Sequence, residues 1–180
     1  MGAPFGAQAF GVTPDIMTMA KAITNGVVPL GAVASRENIY DTILEASPMG
    51  AVEFFHGYTY SGHPLACAAA LATLEEYKAE NVFERAGNIE KKFEEACHSL
   101  KGTKNVVDIR NIGLVAGIEL ATREDGLTKR AYDVFDWCFN EGLMVRFTGE
   151  TICVSPPLVV NEGQIDEIFT TIREAIISIK

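Results

Sequence analysis

Long apolar runs are missing from this chain of 180 residues. No uncharged apolar stretch approaches the roughly 18 residues that a bilayer span requires. The opening residues, Met1-Gly2-Ala3-Pro4-Phe5-Gly6, carry neither the basic region nor the apolar stretch of a secretory signal. Basic residues are scarce: 15 Lys plus Arg stand against 24 Asp plus Glu, a formal charge of −9. Such a balance gives no general attraction to phosphate backbones or anionic lipid, which disfavours nucleic acid and membrane surfaces as partners. Any phosphate must be held locally, by a few backbone donors or one cation. Only four cysteines occur (Cys67, Cys97, Cys138 and Cys153), with no C-x-x-C pair. A disulfide scaffold and a zinc site are both poor readings, and reduced thiols in a cytoplasmic protein are expected. G-x-S-x-G, the Walker loop and H-E-x-x-H are all absent. His56 and His63 are seven apart with no third ligand nearby, so no metal site is expected.

What remains is an ordinary globular composition, 48% hydrophobic and 22% charged, long enough for one medium domain or two small ones. Texture divides the chain near residue 80. The first part is rich in Gly, Ala and Pro and poor in charge; the second alternates charged amphipathic segments with short apolar runs. Ile16–Ile23 reads as a strand end or a helical turn, and Gly26–Ala34 as a bent strand punctuated by Pro29 and Gly31. Arg36–Leu44 reads as a helix, followed by a long loop over Ala46–Ser61. Pro64 opens a strong helix through Tyr77, whose uncharged first turns predict burial on all sides. Helices are expected over Val82–Leu100, Thr128–Glu141 and Glu162–Ile179, with Gly142 capping the second of these. Strands are expected over Val106–Asn111, Leu114–Leu120, Leu143–Arg146 and Thr151–Ser155. The alternation predicts an α/β or α+β fold. Cys67 and Cys97 read as small core residues on helices.

Three stretches could carry chemistry. The first is Pro14-Asp15-Ile16-Met17-Thr18-Met19-Ala20-Lys21-Ala22-Ile23-Thr24-Asn25-Gly26, in which Lys21 is the only basic side chain before Arg36. An apolar setting disfavours the ammonium form, and a neutral lysine attacks carbonyls to form a Schiff base. The same lysine could equally snorkel at an element end. Asp15 admits either a pairing role or a turn role after Pro14. The second stretch is Phe54-Phe55-His56-Gly57-Tyr58-Thr59-Tyr60-Ser61-Gly62-His63-Pro64. Hydroxyls of Thr59 and Ser61, with the helix opened by Pro64, suit an anion pocket; a structured aromatic turn is the alternative. The third runs from Gly142 to Leu158, where Arg146 stands at a strand end. There it could grip a carboxylate bidentately or be a plain exposed edge arginine. No chemistry is assigned to Ser155-Pro156-Pro157.

Taken jointly, PDIMTMAKAITNGVVPLGAV, HGYTYSGHPLACAAALATLEEY and GLMVRFTGETICVSPPL resemble the class III aminotransferases, pyridoxal-phosphate enzymes of fold type I. The nearest subgroup is the ω-amino acid:pyruvate type, including β-alanine–pyruvate aminotransferase, and the likeness runs over essentially the whole chain. It implies the C-terminal part of the large domain, with its mostly parallel sheet, over residues 1–80, and a small α+β domain over 81–180. It implies that Lys21 is the Schiff-base lysine and the acid–base catalyst of a ping-pong transamination. Thr59 would bind the cofactor phosphate from the neighbouring subunit of a homodimer, Tyr58 would line the pocket, and Arg146 would take the carboxylate of a keto acid such as pyruvate. Family chains continue upstream with a glycine-serine phosphate loop, a ring-stacking aromatic and an aspartate for the pyridine nitrogen. The resemblance therefore points to the C-terminal portion of such an enzyme. Within the third stretch, Glu150 departs from the Asp common in the family after the preceding glycine, here Gly149. Other branches (ornithine, 4-aminobutyrate or diaminopelargonate type) and a non-catalytic remnant are the competing expectations.

Overall fold

The structure, a computed structural model, describes residues 1–49 and 59–179. The chain forms two compact units, one of Met1–Ala9 with Val82–Lys180 and the other of Phe10–Asn81.

The larger unit opens with a single helical turn, α1 (Gly6–Ala9), whose flank is tied down by Glu90. The amino group of Met1 lies 3.5 Å from the Glu90 carboxylate, which also accepts the Gly113 N–H at 3.0 Å. Gly2 and Gly87 meet backbone to backbone, and a Cβ on either would come within 3.2 Å of the other's Cα.

A four-stranded antiparallel sheet forms the body of this unit. It contains β3 (Val106–Ile112), β4 (Val115–Leu120), β5 (Arg146–Thr148) and β6 (Thr151–Val154), in the spatial order β3-β4-β6-β5. Strict alternation aims Ala116, Ile118 and Leu120 of β4, and Ile152 and Val154 of β6, into one face. In β3 the phase shifts at a bulge between Val106 and Asp108. Val107 is thrown outward while Val106 and Ile109 both pack on the core. Three helices share that core: α4 (Val82–His98), α5 (Lys129–Asn140) and α6 (Glu162–Ser178). Phe93 of α4 and Phe169 of α6 meet edge to face, with centroids 5.2 Å apart. The start of α6 is closed by a reciprocal cap: the Asn161 side chain accepts the Gln164 N–H, and the Gln164 side chain accepts the Asn161 N–H. Gly142 ends α5 at φ +85°, a conformation that suits glycine. The expected strand over Leu143–Arg146 begins only at Arg146. Leu143 instead returns its N–H to the Cys138 carbonyl, which spends the backbone on the helix end.

The smaller unit holds β1 (Ile16–Ala20) and β2 (Gly31–Ser35), paired antiparallel from Ile16 opposite Ser35 to Ala20 opposite Gly31. Both sheets formed by the described residues are thus antiparallel. Two helices follow, α2 (Glu37–Ala46) and α3 (Pro64–Ala79). Gly26–Leu30 form the connection to β2 rather than strand, because Gly26 is left-handed and Thr24 accepts the Val27 N–H in a turn. Helix α3 starts at Pro64 as read from the sequence, but it is not enclosed. Ala66 and Ala70, one turn apart, are its buried residues; Leu65 and Leu71 are exposed, and so is Cys67. The uncharged sequence of α3 reflects small residues on a face open in this unit. Cys97, by contrast, is fully buried on α4 as expected.

Candidate functional site

Lys21 stands at the junction where β1 ends. Ala20 is extended, and Lys21 then turns left-handed at φ 56° and begins a short 3-10 turn through Ile23. A non-glycine residue at positive φ is uncommon and costs of the order of 1–3 kcal/mol, which surrounding contacts must offset. Those contacts are present. The Lys21 carbonyl accepts the Thr24 N–H at 3.2 Å, and the Thr24 hydroxyl, which is buried, donates to the Val28 carbonyl at 2.6 Å. From α3, the Tyr77 hydroxyl donates to the Ala22 carbonyl at 2.8 Å. Lys21 is therefore held by its backbone while its side chain is exposed, and its amine forms no ion pair among the described residues. The apolar enclosure expected around Lys21 is absent within this unit. Asp15 takes the pairing role: its carboxylate lies 3.1 Å from Arg36, and its carbonyl accepts the Arg36 N–H at 2.9 Å, closing the open end of the β1–β2 pair.

Thr59 lies in the same unit as Lys21, exposed in the turn that leads to α3. Tyr58 and His56 fall outside the described residues. His63 is the residue before Pro64, and its side chain does not cap the helix. Among the described residues there is no cluster of three or more acidic, histidine or cysteine side chains able to hold a metal. A primary amine and a hydroxyl are a donor set suited to a group bearing a carbonyl carbon and a phosphate. Pyridoxal phosphate has both features, so the residues present fit it.

Arg146 belongs to the other unit. It is the first residue of β5, paired with Cys153 of β6, and its side chain is exposed. Its guanidinium forms no ion pair among the described residues, unlike those of Arg110 and Arg123. It borders a cavity of about 310 Å³ lined also by Leu143, Val145, Cys153, Ser155 and Pro156. A free guanidinium beside a mostly apolar hollow can bind a carboxylate whose remainder is small and apolar. Tyr77 and its bond to Ala22 were not among the residues singled out from sequence; only its place on the helix that follows the T-Y-S-G-H-P segment pointed to it.

Residues 1–176 of the chain match the family Aminotransferase class-III. An omega-aminotransferase of Caulobacter vibrioides is 52% identical over 98% of this chain and 40% of its own length. A beta-alanine–pyruvate aminotransferase of Pseudomonas aeruginosa is 43% identical over the same shares. Among solved structures, an amine transaminase from an uncultivated Pseudomonas species, in its PLP-bound form, superposes with TM-score 0.89 at 30% identity, covering 99% of this chain and 42% of that one. The chain belongs to the class III aminotransferases, and its α/β fold is the C-terminal part of the fold these transaminases share. It spans about 40% of the length of the curated relatives it matches.

Proposed function

We propose that the chain takes part in a pyridoxal-phosphate-dependent transamination that moves an amino group from an ω-amino acid or amine, such as β-alanine, to pyruvate. The observation that carries this reading is Lys21: a left-handed lysine whose carbonyl accepts the Thr24 N–H, in a turn tied down by the Thr24 and Tyr77 hydroxyls, with an exposed amine that forms no ion pair among the described residues. Strain retained at one residue is a pointer to function. The identity to the omega-aminotransferase and beta-alanine–pyruvate relatives supports the substrate class.

When bound, pyridoxal phosphate supplies the electron sink that makes the amine-bearing carbon acidic. Lys21 Nζ would hold the cofactor covalently between turnovers. Once displaced by the incoming amine, the same nitrogen would take the proton from the substrate's amine-bearing carbon and later return one, as general base and acid. Thr59 would bind the phosphate, contributed across a homodimer, with Tyr58 lining the pocket. Arg146 would clamp the keto acid's carboxylate and release it when an uncharged amine occupies the site. In this reading residues 1–80 belong to the cofactor-binding large domain and 81–180 to the small C-terminal domain. Four free thiols suit a reducing compartment, and we place the protein in the cytoplasm.

The direct assay is alanine formation from pyruvate with β-alanine and other amine donors in the catalytically competent protein. Lys21→Ala should lower the rate by about 10²–10⁴. An unchanged rate in that variant would overturn the proposal.

A further inference from the structure

Arg146 sits on an edge strand of three residues, and such a strand does not hold its own geometry. Besides its pairing with β6, it is held by helix α5, through two contacts. On one side of the β5–β6 hairpin, Phe147, the neighbour of Arg146, packs against Tyr132 at 6.1 Å and Phe135 at 5.5 Å between ring centroids. At the hairpin tip, the Glu150 carboxylate accepts the N–H of Thr128, the residue that opens α5. Glu150 also accepts the Leu120 N–H on its main-chain carbonyl at 2.9 Å. Arg130, buried in the first turn of α5, donates its Nε to the Ala121 carbonyl at 2.8 Å. Hairpin tip, strand end and helix start are thus joined in a closed triangle.

Two features mark this triangle as costly. Thr128 is left-handed at φ 66°, an outlier for a β-branched residue. The second carboxylate oxygen of Glu150 is buried without a hydrogen-bond partner among the described residues. Neither is needed to close the β5–β6 turn, where Gly149 already supplies the left-handed conformation. Both serve to bring one carboxylate oxygen onto the amide at the positive end of α5, a charge-assisted contact.

We propose that Glu150 is a positioning residue for Arg146: its grip on Thr128 fixes the hairpin on which the guanidinium stands, and so sets affinity for the keto acid's carboxylate. This rests on the reading of Arg146 as the carboxylate binder. A residue acting through a packed neighbour shifts affinity by roughly 2- to 30-fold. By linkage, a ligand that Arg146 holds must in turn protect the Thr128 amide.

The test compares Glu150→Ala, Glu150→Gln and Arg146→Ala in the catalytically competent protein, by steady-state kinetics with pyruvate and with an uncharged amine. Glu150→Ala should raise KM for pyruvate about 2- to 30-fold while leaving the amine half-reaction within about twofold. Glu150→Gln, which keeps an acceptor oxygen, should restore the pyruvate KM. Hydrogen exchange of the unmodified protein gives a readout that needs no variant: pyruvate should slow exchange at Thr128 severalfold, and an amine without a carboxylate should not. If Arg146→Ala raises the pyruvate KM selectively while Glu150→Ala does not, or if pyruvate leaves Thr128 exchange unchanged, the positioning role is overturned alone. If Arg146→Ala weakens both substrates equally, the carboxylate reading falls and the positioning role with it.

Discussion

The two compact units are built from the same chain but stabilised differently. The unit of Met1–Ala9 with Val82–Lys180 has a continuous core in which Phe93, Ile118, Ile152, Ile165 and Ile172 are wholly buried. The unit of Phe10–Asn81 buries only Thr24, Ala66 and Ala70 among its described residues, while Val27, Leu65, Val33 and Leu71 stand between 63% and 77% exposed. Its order comes from β-pairing, turn geometry and hydrogen bonds, as at Lys21, rather than from apolar burial. The proposed substrate recognition by Arg146 is therefore carried on a scaffold with its own core, and the proposed covalent chemistry of Lys21 on a unit whose apolar side chains are exposed.

The sharpest way to break that contrast is a pair of truncations. Phe93→Ala opens a cavity at the α4–α6 contact and should cost about 3–5 kcal/mol, read as a lowered denaturation midpoint of the larger unit. Leu71→Ala, at an exposed site, should change stability by no more than about 0.5 kcal/mol when the chain is studied alone. A comparable loss for both would mean that Leu71 is covered and the contrast is false.

A smaller effect separates the units by their thiols. Burial pushes Cys97 and Cys138 up to about 11 from the ordinary 9.0, because a thiolate there would be desolvated. Their folded value lies above the unfolded one, so the stability they contribute is complete below about pH 9 and declines as pH rises from about 9 towards 11. Cys67, exposed on α3, should be alkylated at neutral pH while Cys97 and Cys138 stay protected. Equal labelling of all three under native conditions would show that the larger unit opens as readily as the smaller.

The same contrast governs what could be read from the sequence. In the larger unit, amphipathic period and caps located α4, α5 and α6 closely, and Gly142 ends α5 as its position suggested. There the apolar stripe of each helix has a partner within the unit, so period and burial agree. In the smaller unit the apolar composition of α3 suggested enclosure that this unit does not provide, and Cys67 was misplaced for the same reason. Lys21 could be singled out because a lone cation in an uncharged stretch is conspicuous, and its setting at a strand end followed by a turn matches both local readings of Ile16–Ile23. The contacts that hold it were not legible: the Tyr77–Ala22 bond joins residues 55 apart, and spacing along one element cannot reveal it. Glu150 was visible only as a departure after Gly149; its bond to Thr128 is likewise long-range.

The central claim is that Lys21 is the amine that carries the cofactor. Borohydride reduction of the catalytically competent protein in the presence of pyridoxal phosphate, followed by peptide mapping, tests it most directly. A pyridoxyl label on the peptide containing Lys21 is the predicted result. A label on Lys78 or on any other lysine, with Lys21 unmodified, would contradict it.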